Sequence, residues 1–173
     1  MKKKLNNTVM FACSEGGHFS QMMALHDLFG EYDSVLVTDN YRASKEMPEL
    51  KDVRRIEFVG GFADARKSHA GSKHNDSRIT FFLGYLKLFG ECRRVIRDVR
   101  PKVLVSTGSN IAVPLFYMGK LMGTKLVFIE TRARVYTKSL TGKLISGISD
   151  KVIVQWKEML NMYKNAEYYG TLV

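Results

Sequence analysis

The sequence predicts an α/β fold with a mainly parallel sheet and helices on both faces. Short β-rich apolar segments alternate with longer segments of helical periodicity from one end of the chain to the other. Strands joined through helices form right-handed crossovers, which place neighbouring strands in parallel. No internal repeat, low-complexity tract or linker divides the sequence. We therefore expect residues 1–173 to form one Rossmann-like domain.

The apolar segments predict six strands. The first, 8–13, is an almost unbroken apolar run that stops before two glycines, a pattern typical of a strand buried on both faces. The other strands are predicted at 34–38, 55–59, 102–106, 125–129 and 152–154.

Apolar residues at helical spacing predict five helices. The longest, 78–99, has one apolar face that runs from Phe82 to Val99 in steps of three and four residues. The other helices are predicted at 18–29, 110–122, 141–148 and 157–163. Residues 60–77, rich in Gly, Ser, His, Lys and Asp, form an irregular connection of a length that is uncommon in compact domains.

Composition and charge limit the class of protein. The 27 Lys and Arg residues exceed the 17 Asp and Glu residues, and a net charge of +10 favours phosphate groups, nucleic acid or an acidic membrane surface as partners. Cys13 and Cys92 lack the spacing of zinc ligands and exclude a disulfide framework, which fits a reducing cytoplasm. The apolar run after the basic start ends at Cys13, too early for a signal peptide or a membrane span.

The loop that follows the first strand is the first candidate binding segment. Gly16 and Gly17 let the backbone approach a ligand, and the next helix starts there with free N–H groups that favour an anion. His18 at the helix start is able to act as a base or a hydrogen-bond donor. A tight strand-to-helix turn with a capping histidine is the alternative. The loop matches neither the dinucleotide fingerprint nor a Walker loop, which argues against both kinds of nucleotide site.

The loop after the fourth strand carries a second polar cluster. Thr107, Ser109 and Asn110 surround Gly108 at a predicted helix start, an arrangement suited to phosphate or sugar hydroxyls. Alternatively, Ser109 or Asn110 caps the helix, a role worth about 1 kcal/mol.

The loop after the fifth strand contains Glu130, Arg132 and Arg134. A carboxylate at the end of a buried strand is costly without a partner, so Glu130 either pairs with one of these arginines or faces a cleft. In the cleft it would hold a sugar hydroxyl or orient His18, and an arginine would neutralise a phosphate. Because the carboxyl ends of parallel strands share one sheet edge, the three loops together predict a site for a phosphorylated ligand. We assign no metal site.

The helix predicted at 78–99 has a second interpretation. Its first half is apolar on nearly all sides, and basic residues precede it. Interfacial helices combine these features, so we expect this helix to attach to a membrane surface, assisted by the basic residues 2–4. A core helix and a surface covered by a protein partner are the alternatives.

Four motifs taken together resemble one family. They are Gly-Gly-His at 16–18, Ser-Thr-Gly-Ser at 106–109, residues 130–135 with 139–143, and Val-Gln-Trp at 154–156. They are similar to the PssD-type polysaccharide biosynthesis family, the bacterial relatives of the Alg-fourteen subunit of N-glycan assembly. The resemblance covers nearly the whole chain, and the glycine-histidine loop is shared more widely with MurG-type glycosyltransferases.

This resemblance implies a fold and a reaction. The fold is the N-terminal domain of a GT-B glycosyltransferase that is split into two polypeptides. The reaction is hexosyl transfer from a UDP-sugar to a polyprenyl-diphosphate-linked acceptor in capsular, exopolysaccharide or related glycan biosynthesis. A PssE-like or Alg-thirteen-like chain binds the donor, and activity requires both chains. No metal or other cofactor is expected. We expect peripheral attachment at the cytoplasmic face of a bacterial membrane.

The resemblance also implies roles for the loop residues. His18 would be the general base for the acceptor hydroxyl, and Glu130 would hold a hydroxyl or the histidine. The residues expected to bind substrate are Gly16, Gly17, Thr107, Gly108, Ser109, Asn110, Arg132 and Arg134. A non-catalytic anchor that only assists a partner transferase remains the alternative. A nucleic-acid-binding module is disfavoured, since the aromatic residues follow apolar strand and helix patterns.

Overall fold

The computed structural model describes the backbone of residues 5–60 and 77–172, with side chains described from 7 to 60 and from 83 to 172. A seven-stranded parallel sheet has the strand order β3-β2-β1-β4-β5-β6-β7. The strands are β1 Leu5–Cys13, β2 Tyr32–Thr38, β3 Arg55–Phe58, β4 Val103–Ser106, β5 Lys125–Ile129, β6 Lys151–Val154 and β7 Ala166–Tyr168. The six predicted strands are confirmed, and β7 is an addition at the edge.

In the described residues, five α-helices and two 3-10 helices connect these strands. The α-helices are α1 Gly17–Met23, α2 His26–Glu31, α3 Ser77–Val99, α4 Ala112–Leu121 and α5 Leu140–Ile145, and the 3-10 helices are Pro48–Leu50 and Lys157–Met162. The prediction of one helix over 18–29 was wrong, because the chain turns between α1 and α2. Most of the irregular connection predicted at 60–77 lies outside the described residues.

Two hydrophobic cores lie on opposite faces of the sheet, as the prediction of helices on both faces requires. One core packs Phe19 and Met22 of α1 and Phe29 of α2 against β1 and β2. The other packs Cys92 and Ile96 of α3, together with residues of α4 and α5, against β4 to β6. Strands β1, β2 and β3 follow one another from the centre of the sheet to one edge. The chain then returns to the centre, where β4 pairs with β1, and β5, β6 and β7 continue to the opposite edge. This reversal leaves the carboxyl ends of β1 and β4 side by side with their loops departing to opposite faces.

The Asp150 carboxylate links β5 to the start of β6. It accepts the Leu126 N–H at 2.9 Å and lies 3.0 Å from Lys125 Nζ. The bond from the backbone, followed by the lysine contacts, holds the pKa of Asp150 below its usual value. A lowered folded-state pKa adds stability above the unfolded pKa, and this stability is lost as the pH falls below about 4.

We therefore expect Asp150→Asn to lower the melting temperature most at neutral pH. The difference from wild type should shrink as the pH falls toward 3, when the native carboxylate also becomes protonated. Thermal unfolding of both proteins across this range is the measurement. A difference that stays constant with pH would show that the carboxylate charge contributes nothing.

Candidate functional site

The loops after β1 and β4 meet at the centre of the sheet edge. His18, the second residue of α1, points its Nδ1 at the Thr107 carbonyl oxygen at 2.7 Å. Thr107 Oγ1 in turn donates to the His18 carbonyl at 2.8 Å. Since a carbonyl oxygen only accepts, Nδ1 carries the proton and Nε2 of the neutral ring keeps its lone pair. The structure thus brings two of the predicted loops together and leaves Nε2 of His18 as a hydrogen-bond acceptor.

Gly108 brings the second loop against the histidine ring. Its φ is +101°, and a Cβ built there would lie 3.1 Å from His18 Cε1. Ser106 holds this turn to β1, because its hydroxyl donates to the Ala12 carbonyl at 2.7 Å and accepts the Gly108 N–H at 3.1 Å. Gly108 is therefore required both by its backbone conformation and by the closeness of the ring.

Replacing Gly108 with alanine is expected to disturb the histidine more than the fold. The positive φ costs about 1 kcal/mol for an L-residue, and the new methyl group presses on the His18 ring. We expect a melting temperature a few degrees lower and a larger loss in any activity that depends on His18. Gly123→Ala is the matched control, since Gly123 also has a positive φ but open space for a Cβ. Equal effects of the two changes on activity would contradict this account.

In the described part of the chain, two buried hydroxyls, one in the loop after β1 and one in the loop after β4, have no hydrogen-bond partner. Within the described residues, the buried side-chain polar atoms without a hydrogen-bond partner are the Oγ atoms of Ser14 and Ser109. Ser109 also has a φ of +110°, which is unusual for a residue other than glycine. A positive φ at a residue other than glycine stores backbone strain, and such strain is found most often at functional sites.

No side chain caps the N-terminus of α4. The helix begins at Ala112 with Ile111 at the N-cap position, and no side chain there accepts from the first turn. Neither Ser109 nor Asn110 therefore serves as the capping residue that the sequence allowed. Asn110 is exposed beside the buried Ser109.

Glu130 lies at the end of β5 and is 1% exposed. Its carboxylate accepts the backbone N–H groups of Thr131 at 2.8 Å and Ser139 at 3.1 Å, and also the Tyr163 hydroxyl. Burial and then the bond to Glu130 raise the pKa of Tyr163, which keeps the phenol protonated as a donor. Among the described residues Glu130 forms no ion pair, so neither Arg132 nor Arg134 is its partner. The carboxylate holds the loop after β5.

Two glutamines, which sequence reasoning did not single out as site residues, tie the first loop to the third. Gln21 Oε1 accepts the Arg132 N–H at 3.2 Å and the Gln155 side-chain amide at 2.6 Å. Gln155 also donates to the Glu130 carbonyl at 2.9 Å. Both side chains are buried. Gln155 lies in the Val-Gln-Trp motif, so the signal for its importance was present in the sequence.

A cleft of about 400 Å³ opens between α1 and the loop after β5. Its lining residues are Gly17, His18, Ser20, Gln21, Thr131, Arg132, Ala133 and Leu172. Arg132 is exposed at this cleft, whereas Arg134 is outside its lining and bonds to Thr137. The cleft therefore brings together an imidazole, the backbone at Gly17 and one arginine, groups that suit a hydroxyl-bearing anionic ligand.

The described residues contain no group of three or more His, Cys, Asp or Glu side chains that could hold a metal ion. None of the helices in the described part of the chain is long and apolar enough to cross a membrane.

Solved structures share the fold. MurG of Acinetobacter baumannii superposes with a TM-score of 0.70 at 12% identity, covering 96% of this chain and 46% of that one. UDP-N-acetylglucosamine 2-epimerase of Rickettsia bellii gives 0.65 at 11% identity, covering 96% and 45%. The predicted Rossmann-like fold of a GT-B N-terminal domain is confirmed. The chain spans just under half the length of these proteins.

Sequence relatives carry the description UDP-N-acetylglucosamine transferase subunit ALG14. The relative in Candida albicans is 42% identical over 80 residues, which cover 43% of this chain and 36% of that protein. The relative in Eremothecium gossypii is 26% identical over 95% of this chain and 80% of its own length. The matched segment is about a third of the length of the Candida protein. A family model described as oligosaccharide biosynthesis protein Alg14 like matches residues 8–172. The chain therefore belongs to the Alg14-like family of oligosaccharide biosynthesis proteins.

Proposed function

We propose that this chain is the acceptor-binding subunit of a two-chain glycosyltransferase. It holds a polyprenyl-diphosphate-linked acceptor, and a PssE-like or Alg-thirteen-like partner binds the UDP-sugar. The names of the relatives support a UDP-sugar donor, with UDP-N-acetylglucosamine as the first to test. The product would enter capsular, exopolysaccharide or a related glycan synthesis.

The observation that carries this proposal is the orientation of His18. Its Nδ1–H is committed to Thr107, so Nε2 faces the site as a hydrogen-bond acceptor. In the proposed step Nε2 takes the proton of the acceptor hydroxyl as its oxygen bonds to the anomeric carbon of the donor. The bond from that carbon to the UDP oxygen breaks, and UDP leaves with the electron pair. No metal takes part in this step.

The other residues of the edge have supporting roles in the proposal. Arg132, which lines the cleft beside His18, would face a diphosphate of the acceptor. Glu130, which we expected to be catalytic, is better explained as a positioning residue, because three donors within its own loop and core occupy its carboxylate.

A two-chain enzyme is supported by the description of the relatives as subunits of a transferase. A site of this kind lies between two domains, which fits the exposed position of Arg132 at the sheet edge.

Photolabelling of the two-chain complex tests the assignment of substrates. A photoactivatable analogue of the lipid-linked acceptor should label this chain, and an azido-UDP-sugar should label its partner. Labelling of this chain by the UDP-sugar, with none by the acceptor, would reverse the assignment and contradict the proposal. A non-catalytic anchor would be labelled by neither reagent.

We also propose peripheral attachment to the cytoplasmic face of a bacterial membrane, and exposed leucines on α3 support the contact with a membrane surface. Leu83 and Leu86 are 57% and 51% exposed near the start of the helix. Together, Leu83→Asp and Leu86→Asp are expected to weaken binding to anionic phospholipid vesicles about tenfold or more, because burying a leucine contributes about 1.5–3 kcal/mol. Leu121→Asp, at a leucine that is 78% exposed on α4, is the control in the same sedimentation assay. Equal losses would point to general charge repulsion.

A further inference from the structure

The turn at residues 131–134 forms one wall of the cleft beside His18 and is closed by its own hydrogen bonds. The Arg134 N–H donates to the Thr131 carbonyl at 3.1 Å, which places Arg132 and Ala133 at the tip of the turn. The Ala133 N–H donates to Thr131 Oγ1 at 3.3 Å. Arg132 is therefore carried on a tight turn, with its side chain exposed at the cleft.

Two other elements hold the backbone of Arg132. Its N–H donates to Gln21 Oε1, on α1, at 3.2 Å. Its carbonyl accepts the indole N–H of Trp156, which follows β6, at 2.7 Å. Both polar backbone groups of Arg132 are thus bonded to side chains from outside the turn, so the turn cannot shift without breaking one of these bonds.

Gln155 fixes the orientation of Gln21. Its Nε2 donates to the Glu130 carbonyl at 2.9 Å and to Gln21 Oε1 at 2.6 Å. Its Oε1 accepts the Leu172 N–H at 2.8 Å. Because a backbone carbonyl only accepts and a backbone N–H only donates, the Gln155 amide fits in one orientation. Its donor then requires the oxygen of Gln21, and the same oxygen accepts the Arg132 N–H.

The same bonds reach the residue before His18. Gln21 Nε2 donates to the Gly17 carbonyl at 3.1 Å. Gln21 is 7% exposed and Gln155 is 1% exposed. A buried amide is costly unless its polar atoms are bonded, and a bonded network of this kind is rigid. The two glutamines therefore join the start of α1 to the turn that carries Arg132, across the cleft.

The Arg132 side chain makes use of this support only if it binds an anion. Among the described residues its guanidinium forms no ion pair. An arginine that serves only solubility needs no rigid turn. A guanidinium on a fixed backbone loses less conformational freedom when it binds a phosphate, which makes binding tighter.

We propose that Gln21, Gln155 and Trp156, together the Arg132 clamp, are positioning residues that hold Arg132 for the diphosphate of the acceptor. Gln155 and Trp156 lie outside the lining of the cleft, so they act through Arg132 and not by touching the ligand. This proposal rests on the proposed function, since it names the residues that hold the arginine of that site in place.

A double-mutant cycle between Trp156 and Arg132 tests the clamp. The full chain is titrated in a calorimeter with a water-soluble isoprenyl diphosphate that carries one N-acetylhexosamine. Arg132→Ala should raise the Kd about tenfold, through loss of a charge-assisted bond, and Trp156→Phe, which removes only the indole N–H donor and keeps an aromatic ring, about fivefold. When Arg132→Ala is already present, adding Trp156→Phe should change the Kd by less than about twofold, because no guanidinium is left to position.

Tyr169→Phe is the matched control in this titration. It also removes one hydrogen bond from an exposed aromatic residue, the bond to Glu167, but it leaves the turn untouched. Its Kd should equal that of wild type. Additive effects of Trp156→Phe and Arg132→Ala would overturn the clamp, since Trp156 would then act independently of the arginine.

Hydrogen exchange at the Arg132 amide tests the positioning without a ligand. Trp156→Phe should speed this exchange about fivefold, because a lost hydrogen bond lowers the free energy of local opening. Gln21→Met, which removes the acceptor of this N–H, should speed it further, while the amides of β1 keep their rates. An unchanged rate at Arg132 in Trp156→Phe would overturn the clamp.

The two measurements separate the clamp from the proposed function. If wild type does not bind the probe, the proposed function fails, whereas the exchange rates still decide whether the clamp holds the turn. In an active complex, Trp156→Phe should raise the KM for the acceptor and leave kcat unchanged, a split that a general loss of stability would not produce.

Discussion

Replacing His18 with alanine is expected to lower kcat of the reconstituted two-chain transferase by about 10²–10⁴, the contribution of a general base. The Nδ1–H of His18 is fixed on the Thr107 carbonyl, so the ring presents Nε2 in one orientation, and alanine removes the proton acceptor. The half-buried side chain lies at the rim of the cleft, which limits the loss of stability. Initial rates at saturating donor and acceptor measure the effect.

His26→Ala is the matched control, because His26 is an exposed histidine on the neighbouring helix α2 and also bonds to a carbonyl, that of Met23 at 3.0 Å. Its rate should equal that of wild type. Near-normal transfer by the His18 variant would remove the assignment of the base and favour the role of a non-catalytic anchor.

Replacing Glu130 with alanine is expected to destabilise the chain by about 3–5 kcal/mol, because two backbone N–H groups and the Tyr163 hydroxyl lose their buried acceptor. The loop after β5 would shift, and with it the cleft wall at Arg132. Transfer should therefore fall together with stability. Chemical denaturation and transfer rates, measured on the same preparations, report the two effects.

A second change tests whether Glu130 acts through the loop. Gly142→Ala leaves the carboxylate in place but introduces a Cβ that would overlap the Tyr163 hydroxyl and lie 2.6 Å from Glu130 Oε2. If Glu130 is a positioning residue, this change should lower stability and transfer as Glu130→Ala does. Full activity in a destabilised Gly142→Ala variant, with none in Glu130→Gln at normal stability, would instead restore the catalytic role of Glu130.

The strands of the fold were predictable because buried parallel strands are short and continuously apolar. The predicted strand 125–129 matches β5 residue for residue. The break between α1 and α2 was not predictable, since Phe19, Met22 and Phe29 are all buried on one side and keep helical spacing across it. The edge strand β7 was missed because three half-buried residues, with Glu167 at the centre, give no apolar run.

The candidate site was predictable only in part. The rule that strand ends share an edge placed His18 near Thr107 and Gly108, which the structure confirms as neighbours. The glutamine bridge joins Gln21 to Gln155, which are 134 residues apart in the sequence. Such a pair has no local signature, because its partners are brought together only by the order of the strands. For the same reason the sequence could not show that Tyr163 engages Glu130.

Sugar transfer by three kinds of membranes tests the central claim most directly. The membranes would contain this chain alone, the proposed donor-binding partner alone, or both, and each would receive radiolabelled UDP-sugar and a lipid-diphosphate-sugar acceptor. The split transferase predicts transfer with both chains and little or none with either one. Full transfer by this chain alone would contradict the two-chain site, and full transfer by the partner alone would contradict any catalytic contribution from His18.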